Sequence, residues 1–257
     1  MATARAYIAN RIFTGDEWLH GHAVITEEGI IKNVLPVTDI PAGIEPAYFT
    51  ESMLAPAFID LQIYGACEKL FAVYPNTEAL SLLNNYCKAG GAAYCMPTVA
   101  TSKSEVFYKC IDAIRDYWQY GGEGIMGLHA EGPWINKEKK GAHVESLIHS
   151  PSLKEVEDLL NYGKGVIKII TLAPEVCSKE VIELIRSYGI IIFAGHSNAT
   201  YEEAMYSFDN GITAVTHLYN AMSPLQHRNP GLVGAAFNHE KIMASIIADG
   251  YHVDYAA

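Results

Sequence analysis

A chain of 257 residues, half of them hydrophobic and 18% charged, can bury the core of one large domain and contains no low-complexity tract of the kind that stays disordered. Its formal net charge of −11 argues against a broad nucleic-acid or anionic-membrane surface, because both need excess basic charge; a small phosphorylated ligand needs only one or two local cations. No apolar run reaches the roughly 18 residues of a bilayer span and the first residues lack a signal-peptide core. The cysteines, Cys67, Cys87, Cys95, Cys110 and Cys177, form no CxxC pair and read as reduced thiols of a cytoplasmic protein.

In chain order, residues 1–53 read as a small β unit: Arg5–Phe13 and His22–Leu35 are β-rich, with turns at Thr14-Gly15-Asp16 and Glu27-Glu28-Gly29. Residues 54–257 change to a strand-then-helix pattern. Apolar, strand-length runs occur at 54–62, 92–99, 125–131, 166–173, 190–196, 214–220 and 243–249. Helical stretches intervene, for example 102–120, 152–162, 178–188 and 201–208. Ser178 and Thr200 each precede an acidic first turn, the signature of a hydroxyl N-cap. Strands this continuously apolar are buried on both faces, as in a parallel sheet covered by helices. The repeat of about 30 residues predicts an α/β fold, a (β/α)8 TIM-type barrel. Seven strands are countable where a closed barrel needs eight, so the expectation is an incomplete barrel, truncated after its seventh strand.

Barrels of this type carry their chemistry at the carboxyl ends of the strands. Asp60, Gln62, His129, Glu131, His196, His217, Asp249 and His252 all fall there. Glu131, His196 and His217 form the strongest set: one carboxylate and two imidazoles suit a divalent borderline ion such as Zn²⁺ and leave a position for water. Taken singly, each has a plainer reading, a hydrogen-bonded core histidine or a carboxylate capping a helix. Gly132 and Gly195 flank the set and supply tight turns or close backbone approach. The long loop 216–231 holds one cationic side chain, Arg228, whose guanidinium fits a phosphate or carboxylate and equally fits a solvated surface.

Five segments then carry a resemblance: PAFIDLQIYGA (56–66), HAEGPWINKEKKGAH (129–143), GHSNATYEEA (195–204), THLYNAMSPLQHRNPGLVGAAF (216–237) and IIADGYHVD (246–254). In content and order they resemble the N-acetylglucosamine-6-phosphate deacetylase family of the amidohydrolase superfamily. The resemblance implies an eight-stranded barrel with a small β-sandwich, residues 1–53 forming its N-terminal part. It implies metal ligands Glu131, His196 and His217, with His143 polarising the acetamide carbonyl. Ala142, His143, Asn220, Ala221, Arg228 and His252 would bind the sugar phosphate, Arg228 reaching into a neighbouring subunit, which implies a homodimer. Two departures stand out. Gln62-Ile63-Tyr64 occupies the place of a His-x-His pair, which implies one metal ion with Gln62 at most a weak ligand. The family's catalytic Asp, at the end of strand eight, has no counterpart here, and Asp249 belongs to the strand-seven motif. The implied activity is hydrolysis of N-acetylglucosamine 6-phosphate to glucosamine 6-phosphate and acetate. The alternatives are a non-catalytic sugar-phosphate-binding remnant, an amidohydrolase for another N-acyl amino sugar or a hydantoin-like ring, and a purely structural barrel fragment.

Overall fold

The computed structural model describes residues 4–257. The chain divides into two compact units, the first running to Phe58 and the second spanning Ile59–Ala257. In the first unit, β1 (Ala4–Phe13) lies at the centre of a five-stranded sheet with β2 (Trp18–Leu19), β3 (His22–Glu27), β4 (Ile30–Pro36) and β5 (Pro46–Leu54). Glu28 and Gly29 take left-handed backbone (φ 52° and 77°), which turns β3 back into β4 as an antiparallel hairpin. Both faces of the sheet carry apolar clusters. Ala6, Ala23 and Ile25 pack on one, and Ala9, Ile12 and Val24 on the other. A register shift between Ala9 and Arg11 keeps Ile12 on the Ala9 face despite the odd spacing. β5 pairs with β1 in parallel, a long-range pairing that local sequence pattern does not announce.

The second unit is built from β6 (Phe58–Ile63), the short hairpin β7 (Gly65–Ala66) and β8 (Lys69–Leu70), α1 (Thr77–Ala89), β9 (Ala92–Ala100), α2 (Ser104–Gln119), β10 (Leu128–Glu131), α3 (Leu153–Tyr162), β11 (Ile167–Leu172), α4 (Lys179–Ser187), β12 (Ile191–Ala194), α5 (Tyr201–Asp209), β13 (Ala214–Val215), α6 (Gly231–Asn238) and β14 (Met243–Ala244). Seven strands form a curled parallel half-barrel in the order β14-β13-β12-β11-β10-β9-β6. This is the strand count and order read from the apolar runs.

Alternation along each strand separates two interiors. Leu128 and Ala130 of β10, Ile170 and Leu172 of β11, and Ile192 and Ala194 of β12 face the helices and join the main core. Met96, Ile169, Phe193 and Ala214 point to the opposite, concave side and form its apolar floor with Leu61. The hydroxyl caps form as expected: Ser178 Oγ accepts from Val181 N–H at 3.4 Å and Thr200 Oγ1 from Glu203 N–H at 3.2 Å. Glu203 returns a bond to the Thr200 N–H at 2.8 Å, completing a capping box. The run 214–220 is strand only at Ala214–Val215; beyond Thr216 the backbone turns left-handed at His217 and Tyr219 (φ 37° and 77°). Among the described residues no helix is long and apolar enough to cross a membrane.

Candidate metal centre

Glu131 ends β10, His196 follows β12 by one residue beyond Gly195, and His217 follows β13 by one residue beyond Thr216. All three are buried, Glu131 completely. The two histidines hold positive φ, 48° and 37°, which costs a non-glycine residue energy and persists only where neighbours over-determine it. Here they do. Asn136 N–H donates to the His196 carbonyl at 2.9 Å, Ser245 Oγ accepts from His217 N–H at 2.8 Å, and Asn220 N–H donates to the His217 carbonyl at 2.9 Å.

The three functional atoms converge. Glu131 Oε1 lies 3.2 Å from His196 Nε2 and 3.2 Å from His217 Nε2, and the two nitrogens are 3.1 Å apart. A tetrahedral ion with bonds of about 2.0 Å sets its ligand atoms about 3.3 Å apart, so the spacing fits a single divalent cation. Backbone carbonyls decide the tautomers. His196 Nδ1 faces the Lys139 carbonyl at 2.8 Å and His217 Nδ1 the Asn220 carbonyl at 3.1 Å. A carbonyl only accepts, so each Nδ1 carries the proton and each Nε2 presents a lone pair. Three lone-pair atoms gathered around one point, out of water, are mutually repulsive until a cation sits among them.

His143 is the fourth group. It shares a cluster of possible ligand atoms with Glu131 and His196, and its Nε2 is 3.4 Å from Glu131 Oε2. Its tautomer is the opposite one. Thr101 N–H donates to His143 Nδ1 at 3.2 Å, with the Thr101 hydroxyl also at 2.7 Å, so Nδ1 is the acceptor and Nε2 carries the hydrogen. His143 is therefore arranged as a hydrogen-bond donor beside the cation position rather than as a ligand. Burial works to raise the Glu131 pKa, but hydrogen bonding, led by the donor Nε2–H of His143, outweighs it and holds the carboxyl well below its usual range.

The carboxylate is held from its other side by residues after β6. Gln62 Nε2 donates to Glu131 Oε1 at 2.9 Å and to Tyr64 Oη at 2.9 Å, and the Tyr64 hydroxyl donates to Glu131 Oε2. Burial, reinforced by the Glu131 charge, pushes the Tyr64 phenol up, keeping it a donor.

Residues 6–47 match the NagA composite domain. The chain is 34% identical over 245 residues to N-acetylglucosamine-6-phosphate deacetylase of Haemophilus influenzae, covering 95% of this chain and 64% of that protein. The crystal structure of N-acetylglucosamine-6-phosphate deacetylase from Pasteurella multocida superposes with a TM-score of 0.90 at 34% identity, over 98% of this chain and 66% of that one. The chain is a homologue of the N-acetylglucosamine-6-phosphate deacetylases. It spans a little under two thirds of the length of these relatives. A Shewanella protein named N-acetylgalactosamine-6-phosphate deacetylase is also similar, 37% identical over 211 residues, 81% of this chain and 53% of that protein.

On this deacetylase-like fold the remaining sequence-derived residues lie outside the tight cluster. Ala142 precedes His143 and is exposed. Asn220 and Ala221 (φ 49°) lie in the loop after His217; the Asn220 carbonyl serves His217, and the Ala221 carbonyl accepts from Ser197 N–H at 3.1 Å. Arg228 is exposed and forms no salt bridge among the described residues. His252 is exposed, its Nδ1 2.8 Å from Asp249 Oδ2, so Asp249 is occupied by a local turn.

Sequence reasoning passed over several contributors. Tyr64 entered only as part of a departure from a motif. Glu175, just after β11, accepts from Asn136 Nδ2 (2.9 Å), Ser197 Oγ (2.7 Å) and Asn198 N–H (2.7 Å), clamping the loop that carries His196. The strand-end rule that picked out Glu131 would also have found Glu175. Thr101, the first residue beyond β9, also stands at a strand end, but its role depends on a histidine 42 residues away, which the rule does not reveal. A cavity of about 460 Å³ between the starts of α2 and α3, lined by Lys103, Phe107, Trp134, His149 and Glu155 among others, contains none of the cluster.

Proposed function

We propose that this chain hydrolyses the acetamide of N-acetylglucosamine 6-phosphate, releasing glucosamine 6-phosphate and acetate, as a metal-dependent enzyme of the cytoplasm. The observation that carries the reading is the pairing of three converging lone-pair atoms, from Glu131, His196 and His217, with the Nε2–H of His143 at the same spot. The ion we assign is a single Zn²⁺; when bound it supplies Lewis acidity, polarising the amide carbonyl and making water acidic enough to react near neutrality. The residues do the rest. Glu131, ionised and tied down by Gln62 and Tyr64, contributes charge without having to reorganise. His143 Nε2–H donates to the acetamide oxygen as negative charge develops there. Asn220, Ala221 and the Ala142 backbone hold the sugar. Arg228 and His252 take the phosphate, for which a guanidinium and an imidazole are suitable donors. Arg228 serves the site of the second protomer of a homodimer.

Proton transfer is the step without an assigned residue. The family resemblance gives it to an Asp after an eighth strand, and no residue of this chain matches that Asp. The second reading is a protein that binds the sugar phosphate without turning it over. The Shewanella relative supports testing the C4 epimer as substrate as well.

Purified protein loaded with one equivalent of Zn²⁺ is to be assayed for acetate release from N-acetylglucosamine 6-phosphate and its galactosamine epimer, with calorimetric binding on the same preparation. Release of acetate from the gluco sugar at several times the rate of its epimer is the expected result. Binding without acetate supports the second reading, and absence of both binding and zinc uptake sinks the proposal.

A further inference from the structure

One layer beneath the three converging atoms runs a buried line of hydrogen bonds that the proposed chemistry does not use. His129, in the middle of β10, points to the concave side of the sheet with 1% exposure, and Thr171 and Thr216 are fully buried. His129 Nδ1 faces the Leu61 carbonyl at 2.9 Å, its Nε2 is 2.7 Å from Thr171 Oγ1, and Thr171 Oγ1 is 2.7 Å from Thr216 Oγ1. The direction is forced from one end. The Leu61 carbonyl only accepts, so Nδ1 donates. Nε2 is then an acceptor, Thr171 must donate to it, and Thr216 must donate to Thr171. Every proton along the line has one place to go, and burial removes water as a competitor.

The line joins β6, β10, β11 and the residue after β13, passing over β9 and β12. Gly195, at the end of β12, makes that crossing possible. A Cβ there would stand 2.8 Å from Thr171 Cγ2 and 2.9 Å from Thr216 Cβ. Gly195 is not among the residues of positive φ, so its backbone does not require glycine; the two threonines do. Each member also abuts the site: Leu61 precedes Gln62, His129 lies two before Glu131, Gly195 precedes His196 and Thr216 precedes His217. The Thr171 carbonyl in turn accepts from Gly132 N–H at 2.9 Å, fixing the residue after Glu131.

We propose that His129, Thr171 and Thr216 are positioning residues, a belt under the metal centre that sets the mutual height of Glu131, His196 and His217, with Gly195 as the gap it passes through. The inference rests on the metal reading above. It assigns these groups no contact with substrate and no part in proton transfer. Loss of a hydrogen bond made directly to a ligand typically weakens metal binding about 10–100-fold, and the belt, one step further out, is expected at the lower end of that range.

The test is Zn²⁺ affinity, measured by competition with a chromophoric chelator, alongside the thermal midpoint of the metal-free protein. Thr216→Val keeps shape and removes only the first donor of the line, so it leaves no buried donor stranded and is the variant most certain to fold. Thr171→Val breaks the line at its centre, and Thr171→Ser restores the hydroxyl. Zn²⁺ affinity is expected to fall about tenfold or more in Thr171→Val, less in Thr216→Val, and to return to within about threefold in Thr171→Ser. The proposal is overturned if both valine variants bind Zn²⁺ within about twofold of the unaltered protein, even with a lowered midpoint, since that marks an ordinary core network. If the unaltered protein takes up no Zn²⁺, the metal reading itself has failed, and that result is in hand before any variant is made.

Discussion

The buried cluster at the ends of β10, β12 and β13 and the exposed segments that carry Arg228 and His252 are built on opposite principles. In the cluster every side chain has its second polar atom spoken for. Lys139 and Asn220 carbonyls orient His196 and His217, Thr101 orients His143, and Gln62 and Tyr64 hold Glu131. Arg228, by contrast, is exposed and without a salt bridge among the described residues, and His252 answers only to its neighbour Asp249. A centre that must gather lone pairs around an ion has to be organised before the ion arrives. Groups proposed to receive a mobile phosphate can remain in water until it comes, at the cost of ordering them then.

Four experiments break or sharpen that contrast. Glu131→Ala should have the largest effect, since it removes one ligand and leaves two imidazoles alone: metal content by mass spectrometry should drop below stoichiometry and acetate release to background. His143→Gln comes next and should separate binding from chemistry. Its metal content should stay at one equivalent while kcat falls about 100–1,000-fold, the loss typical of one donor to a developing oxyanion. A drop in metal content on His143→Gln would mean that His143 is a ligand and that its tautomer has been misassigned. Arg228→Ala should be milder and confined to recognition. Removing one charge-assisted bond, worth about 1.5–3 kcal/mol, should weaken binding of the 6-phosphate sugar about 10–150-fold with little change for the unphosphorylated sugar or for the metal.

The smallest effect concerns the exposed side alone. Hydrogen bonds from the His252 backbone and ring, and from Tyr251 N–H, hold the Asp249 carboxyl down at about 2, against 3.8 for a free aspartate. A depressed carboxyl pKa contributes stability that is complete above the unfolded value and is lost as pH falls through the folded one. The 249–252 turn should therefore persist on acidification to pH 4 and loosen only near 2. An NMR titration of the Asp249 side chain showing a midpoint near 4 instead would mean that the turn is not formed in solution.

Much of this molecule was legible from the chain alone, and the reason is local. Strands covered on both faces must be continuously apolar, so β9, β10, β11, β12 and β13 each appear as a run, in the order the sheet uses; the edge strands β6 and β14 are apolar runs too, although they are partly or wholly exposed. Caps are equally local, since Ser178 and Thr200 reach N–H groups three residues away. Residues at strand ends inherit their position from the strands, which is why Glu131, His196 and His217 could be singled out together. What tertiary structure alone decided depends on partners distant in the chain. The proton on His143 is set by Thr101, that on His196 by Lys139, and the line beneath them by threonines from β11 and the end of β13. Gly195 looks like any turn glycine until Thr171 and Thr216 are seen to meet across it. Periodicity says which face a side chain takes; which group waits for it there is fixed only when distant strands close together and exclude the water that would otherwise have served either one.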